Sequence, residues 1–146
     1  MKHTTLKNLV MSCLLVILAF ASVSAQSNNH IRVNIPFDFI AGKAQLKAGA
    51  YIVRSASESI LVLRRIQDKT DTFVFAPNKL QRPETNLSAK LVFHRYGNEY
   101  FLAEAWTNRN TIGRIVNQTT AEHRVARQLA RAKMKSEVVE VTAALK

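Results

Sequence analysis

The chain has 146 residues, a formal charge of +11 and one cysteine, Cys13. One cysteine excludes an internal disulfide framework and a multi-thiolate metal site. A length of this order suits a single domain with its own core, and the positive balance favours anionic partners over cationic ones.

Residues 1–25 have the order of a secretory leader. Lys2 and Lys7 form a positive start, 9–20 (LVMSCLLVILAF) is a continuous apolar run, and Val23 and Ala25 offer small or compact residues at a cleavage site. The apolar run is shorter than the ~20 residues of a spanning helix. Cys13 lies inside that run, not after it, so lipid attachment is not expected. Cleavage after Ala25 would leave 26–146 as one β-rich domain without cysteine. It would lower the charge from +11 to +9, because Lys2 and Lys7 leave with the leader. The expected location is periplasmic or secreted, with no transmembrane span after the leader is removed.

After a polar lead-in, 26–30, Ile31, Val33, Ile35, Phe37 and Phe39 alternate with Arg32, Asn34, Pro36 and Asp38. That period predicts a strand with one buried face. Pro36 donates no ladder hydrogen bond, so this strand is expected at an edge. Gly49 marks a turn or bulge before a second strand at 51–54. A third strand is expected at 60–66 and a fourth at 72–76, separated by the polar turns 55–59 and 67–71. Residues 77–89, with two of the chain's three prolines, read as a long irregular loop.

The densest aromatic stretch is 91–106, LVFHRYGNEYFLAEAW. Gly97-Asn98 between two β-prone runs signals a type II′ hairpin. In that register Tyr96 opposes Glu99, His94 opposes Phe101 and Phe93 opposes Leu102. Val92 and Phe101 share one face; Leu91, Phe93 and Tyr100 share the other. Apolar side chains on both faces predict a central hairpin covered on both sides. Residues 113–116 are expected to form a short strand.

The period then changes. Thr119 and Glu122 fit a capping box, opening a helix over about 120–135. Val125, Leu129 and Ala132 form its narrow apolar stripe. Arg124, Arg127, Arg131 and Lys135 form a basic stripe, the candidate anion-binding residues. The final run, 138–145, either extends the helix or returns as a strand, and its β-branched content favours the strand.

The fold class expected is therefore mainly β: a small antiparallel sandwich or open barrel of about six to eight strands with one C-terminal amphipathic helix. The segments IPFDFIAGKAQLKAGAYIV and LVFHRYGNEYFLAEAW, then Gly113-Arg114 and a charged helix, resemble a family of small exported bacterial proteins. Its members share a PFDF strand, an L-x-A-G-x-Y turn and a V-F-H-x-Y-G hairpin. The resemblance covers most of 31–135. It implies export from a bacterial cell and carries no known reaction, ligand or site residue. The turn at 46–53 is also similar to turns in immunoglobulin-like sandwiches.

Catalytic candidates are few. His94 sits on the hairpin, where a packed histidine is the ordinary reading. Glu99 and Glu104, five apart on one strand, are expected on opposite faces, which separates them as an acid–base pair. No nucleophile elbow, phosphate-binding glycine loop or paired-histidine metal motif appears, so no catalytic, cofactor or metal residues are assigned. The sequons at Asn86 and Asn117 matter only in a eukaryotic host. The leading expectation is a non-enzymatic binding or structural module of the bacterial envelope. A second is a protein that binds polyanions or membrane surfaces through the basic helix, its partner an anionic envelope component or polysaccharide and not genomic nucleic acid. A third is a small hydrolase or isomerase using His94 with Glu104 or Arg95.

Overall fold

A computed structural model describes residues 30–83, 87–107 and 111–143. The expectations for the leader, Cys13 and Asn86 lie outside those residues. Two sheets face each other. The first has the order β1-β4-β5-β6, from β1 (His30–Ile35), β4 (Gly49–Ser55), β5 (Ile60–Arg65) and β6 (Asp71–Phe75). The second runs β11-β8-β9-β10-β7, from β7 (Asn78–Gln81), β8 (Lys90–Tyr96), β9 (Glu99–Trp106), β10 (Ile112–Ile115) and β11 (Glu137–Thr142). The small hairpin of β2 (Phe39–Ala41) and β3 (Ala44–Leu46) lies against the start of β9. One helix, α1 (Thr120–Arg131), packs on the outer face of the second sheet. The protein is thus the expected β-sandwich with one C-terminal helix.

Alternation in the sequence becomes burial in the structure. Ile31, Val33 and Ile35 of β1 turn inward while His30, Arg32 and Asn34 stay in solvent. They meet Tyr51, Val53, Leu61, Leu63 and Val74 from their own sheet and Leu91, Phe93, Leu102 and Ala105 from the other. Core rings of this kind contribute heavily; truncating one such as Phe93 costs about 3–5 kcal/mol. Among the described residues β1 pairs only with β4, so Pro36 ends an edge strand, as its missing donor requires.

The alternation through 31–39 nevertheless does not make one strand. At Pro36 the chain leaves the first sheet, and Phe39 opens β2 in the second. The crossing is pinned from both sides. Phe37 stacks on Tyr100 with ring centres 3.8 Å apart, and it meets Phe93 edge-on. Asp38 accepts hydrogen bonds from the Ala48 amide at 2.9 Å and the Lys47 ammonium at 2.8 Å. Those two bonds hold its carboxyl below the ordinary aspartate range, the Lys47 bond being the larger cause. The buried Tyr51 hydroxyl donates to the Lys47 carbonyl at 2.6 Å. The PFDF and L-x-A-G-x-Y segments are therefore two halves of one corner.

The irregular loop expected over 77–89 contains a strand. β7 pairs with β10, yet all four of its side chains are exposed. An edge strand with neither face buried has no hydrophobic period to read. The C-terminal run is a strand, β11, paired with β8.

Candidate functional site

Hairpin β8–β9 is central, flanked by β11 on one side and by β10 and β2 on the other. Gly97 takes φ +64 and Asn98 does not share that region, the type II′ pattern. Tyr96 pairs with Glu99, His94 with Phe101 and Phe93 with Leu102, as the turn dictates. Beyond Phe93 the register slips: Val92 pairs with Glu104, so Ala103 is the extra residue of a bulge. This corrects one expectation. A one-residue slip moves every later side chain to the other face, so Glu104 shares the helix-covered face with Glu99, His94 and Val92. The shared face does not make a pair. The Glu104 carboxylate accepts from the Trp106 indole N–H at 2.9 Å, and Glu99 is exposed at the turn.

His94 meets neither expected partner. Arg95 points to the opposite face, where it donates to the Gly97 carbonyl and to Glu137. The group that meets His94 is Glu122, 2.9 Å from Nδ1 to Oε1. The same oxygen accepts from the Tyr96 hydroxyl at 3.3 Å and from the Gln118 amide at 3.4 Å. Glu122 is the buried residue of α1, with 5% of its side chain exposed against 32% for His94. Burial pushes the Tyr96 hydroxyl above its ordinary value, and the neighbouring Glu122 carboxylate pushes it further.

Local sequence explains how Glu122 arrives there. Thr119 is the N-cap, and its hydroxyl accepts from the Glu122 amide at 3.2 Å. The capping-box half of the expectation stops at that bond: the Glu122 side chain turns to the sheet, where it meets His94 and Tyr96, with Gln118 reaching it from the loop before the helix. It is the one acid among the residues of α1. A lone acid on a basic helix, three residues after its cap, was the signal to be read.

A shallow groove of about 400 Å³ runs beside the cluster, lined by Tyr96, Ala126, Leu129, Met134 and Lys135 among others. His94 does not line it. The groove wall follows from how α1 stops. Lys133 adopts a left-handed φ of +55, its amide bonds to Ala130, and the Met134 amide reaches back to Leu129. That is a Schellman ending with a lysine where glycine is usual, and it brings Met134 over Leu129.

The basic stripe is shorter on the helix than expected. Arg124, Arg127 and Arg131 are exposed on α1, while Lys135 lies past its end in the connection to β11. Among the described residues none of these four joins an ion pair. Seven of the described acids pair elsewhere, while Glu99 and Glu104 join no ion pair. Asp38 pairs with Lys47, Asp71 with Arg64, Asp68 with Arg65, Glu58 with Lys79, Glu140 with Lys90, Glu137 with Arg95 and Glu122 with His94. Among the described residues Arg32, Lys43, Arg54 and Lys69 also join no ion pair, but they lie on separate strands and turns, whereas 124–135 holds Arg124, Arg127, Arg131, Lys133 and Lys135 in one run. Among the described residues no cluster of three His, Cys, Asp or Glu could hold a metal ion, and no helix is long and apolar enough to cross a membrane. No known protein family, curated protein or solved structure matches the chain.

Proposed function

We propose that the protein is an exported, non-enzymatic binding module of the bacterial envelope that engages an anionic envelope component or polysaccharide through α1. The observation that carries this reading is the row Arg124, Arg127 and Arg131, outward on one helix and in no ion pair among the described residues. Unneutralised guanidinium groups at i, i+3 and i+7 present donors along one ~10 Å helix face, a spacing suited to repeated carboxylate, sulfate or phosphate groups. The leader pattern and the resemblance to small exported bacterial proteins support the location.

Binding to immobilised heparin and to lipopolysaccharide tests it. Affinity should fall steeply between low and physiological salt, because exposed charges are screened within about 8–10 Å. It should fall again in Arg127→Ala plus Arg131→Ala. Absent or salt-insensitive binding would reject the reading.

A second reading, a small hydrolase or isomerase using His94, is favoured by the 2.9 Å contact with Glu122, since a carboxylate orienting an imidazole is how general bases are held. The cluster's position argues the other way. Glu122 is buried between helix and sheet, all three partners converge on one oxygen, and the adjacent groove does not reach His94. That arrangement suits a tether for α1. Hydrolysis of any ester or glycoside substrate that survives His94→Ala would end the enzymatic reading.

A further inference from the structure

The four strands at the ends of the two sheets are not equally protected. β1 turns Arg32 and Asn34 to solvent and ends at Pro36, β7 carries Lys79, and β11 carries Glu137 and Glu140. Charges and prolines at such positions discourage pairing with another chain. The charge that β6 carries, Asp71, is already bound by Arg64 of the neighbouring strand, and from Thr72 to Phe75 it holds no charge, no proline and no register shift. Its two outward rings, Phe73 and Phe75, are 68% and 62% exposed.

The backbone phase of β6 adds a second, independent observation. The Arg65 amide donates to the Thr70 carbonyl at 3.0 Å, and the Ala76 amide donates to the Ser59 carbonyl at 2.8 Å. With Leu63 opposite Thr72 and Leu61 opposite Val74, the bonded positions are Thr70, Thr72, Val74 and Ala76. Asp71, Phe73 and Phe75 therefore turn their N–H and C=O groups to the open edge. Among the described residues, the ones with exposed rings are the ones whose backbone donors and acceptors no strand claims. A lipid surface would cover the rings and leave the amides unmatched; an added strand satisfies both.

The geometry points to a second copy of this chain as that strand: β6 pairs antiparallel with β6 of the partner about a two-fold axis at Phe73. In that register Phe73 faces Phe73, and Asp71 faces Phe75 on either side, every one a hydrogen-bonded position. The strand is thus its own complement, as a two-fold interface requires. Asp71 is already held by Arg64 through two 2.6 Å bonds, so no unpaired charge enters the seam. The two four-stranded sheets become one of eight strands. The seam lies on the side of the sandwich away from α1, so the inference stands apart from the anion-binding reading. Edge pairing buries little area, so the dimer should dissociate on dilution.

Sedimentation velocity across a concentration series tests this on the purified protein. The parent should pass from monomer to twice that mass as concentration rises, and amide exchange at Phe73 and Phe75 should slow over the same range. Phe73→Lys sets two like charges against each other at the axis and should abolish the dimer. Phe75→Glu, which sets a like charge opposite the partner's Asp71, should weaken it, and both variants should keep the parent's circular dichroism. A parent that stays monomeric at every concentration, or a dimer unaffected by Phe73→Lys in a folded protein, overturns the proposal. So does a Phe73→Lys phenotype confined to binding of phosphatidylglycerol vesicles.

Discussion

Replacing Glu122 by alanine isolates what holds the helix. The substitution leaves the Thr119 cap in place, because that bond uses the Glu122 backbone amide. It removes the one oxygen on which His94, Tyr96 and Gln118 converge at 2.9, 3.3 and 3.4 Å. A hydrogen bond to a charged group contributes about 1.5–3 kcal/mol, and the two longer contacts add little, so the loss should be about 2–3 kcal/mol. For a domain of this size each kcal/mol moves the melting point by roughly 3–6 °C, which gives a fall of about 6–18 °C. Thermal unfolding followed by circular dichroism at neutral pH reads it. Native-state amide exchange should localise it, with the amides of α1 opening well before those of β8 and β9. A double-mutant cycle of Glu122→Gln and His94→Gln should give a coupling of about 1 kcal/mol or more. A melting point within about 2 °C of the parent, or faster exchange spread evenly over hairpin and helix, would refute the tether.

Other outcomes follow from single contacts. Gly113→Ala should destabilise by at least about 2 kcal/mol, because its new carbon would sit 2.6 Å from the Trp106 ring; a chemical melt with an unchanged midpoint would contradict the packing. Tyr51→Phe should cost about 1 kcal/mol by denaturant titration, through loss of the 2.6 Å bond to the Lys47 carbonyl. Lys133→Gly should raise stability by roughly 1 kcal/mol, since a left-handed backbone strains every residue but glycine. Asp38, Asp68 and Asp71 all have folded pKa values below the ordinary aspartate value of 3.8, so their contribution is present above that pH and is lost as pH falls through the lower folded values. Tyr51 and Tyr96 are raised above 10.0, so stability should fall again as pH climbs past that value. A pH series of melting points checks both limbs, and a profile flat at either end would contradict that limb.

The hairpin turn, the alternating face of β1 and the N-cap of α1 were legible because each is set by neighbours in sequence. What stayed hidden depends on distant partners. β7 is recognisable only through β10, which supplies its ladder while no core touches its side chains. The slip at Ala103 leaves no mark in the run FLAEAW, and it alone decides which way Glu104 faces. Glu122 looked like the second half of a capping box because local chemistry offers it the Thr119 amide. His94, Tyr96 and Gln118 outbid that amide from another element and from the loop before the helix.

The most direct test of the account is an amide-exchange footprint of the protein with lipopolysaccharide at low salt. Protection should concentrate on 120–135 and vanish as salt is raised. Protection centred on the rings of β6, or none at all, would contradict the assignment of α1 as the contacting surface.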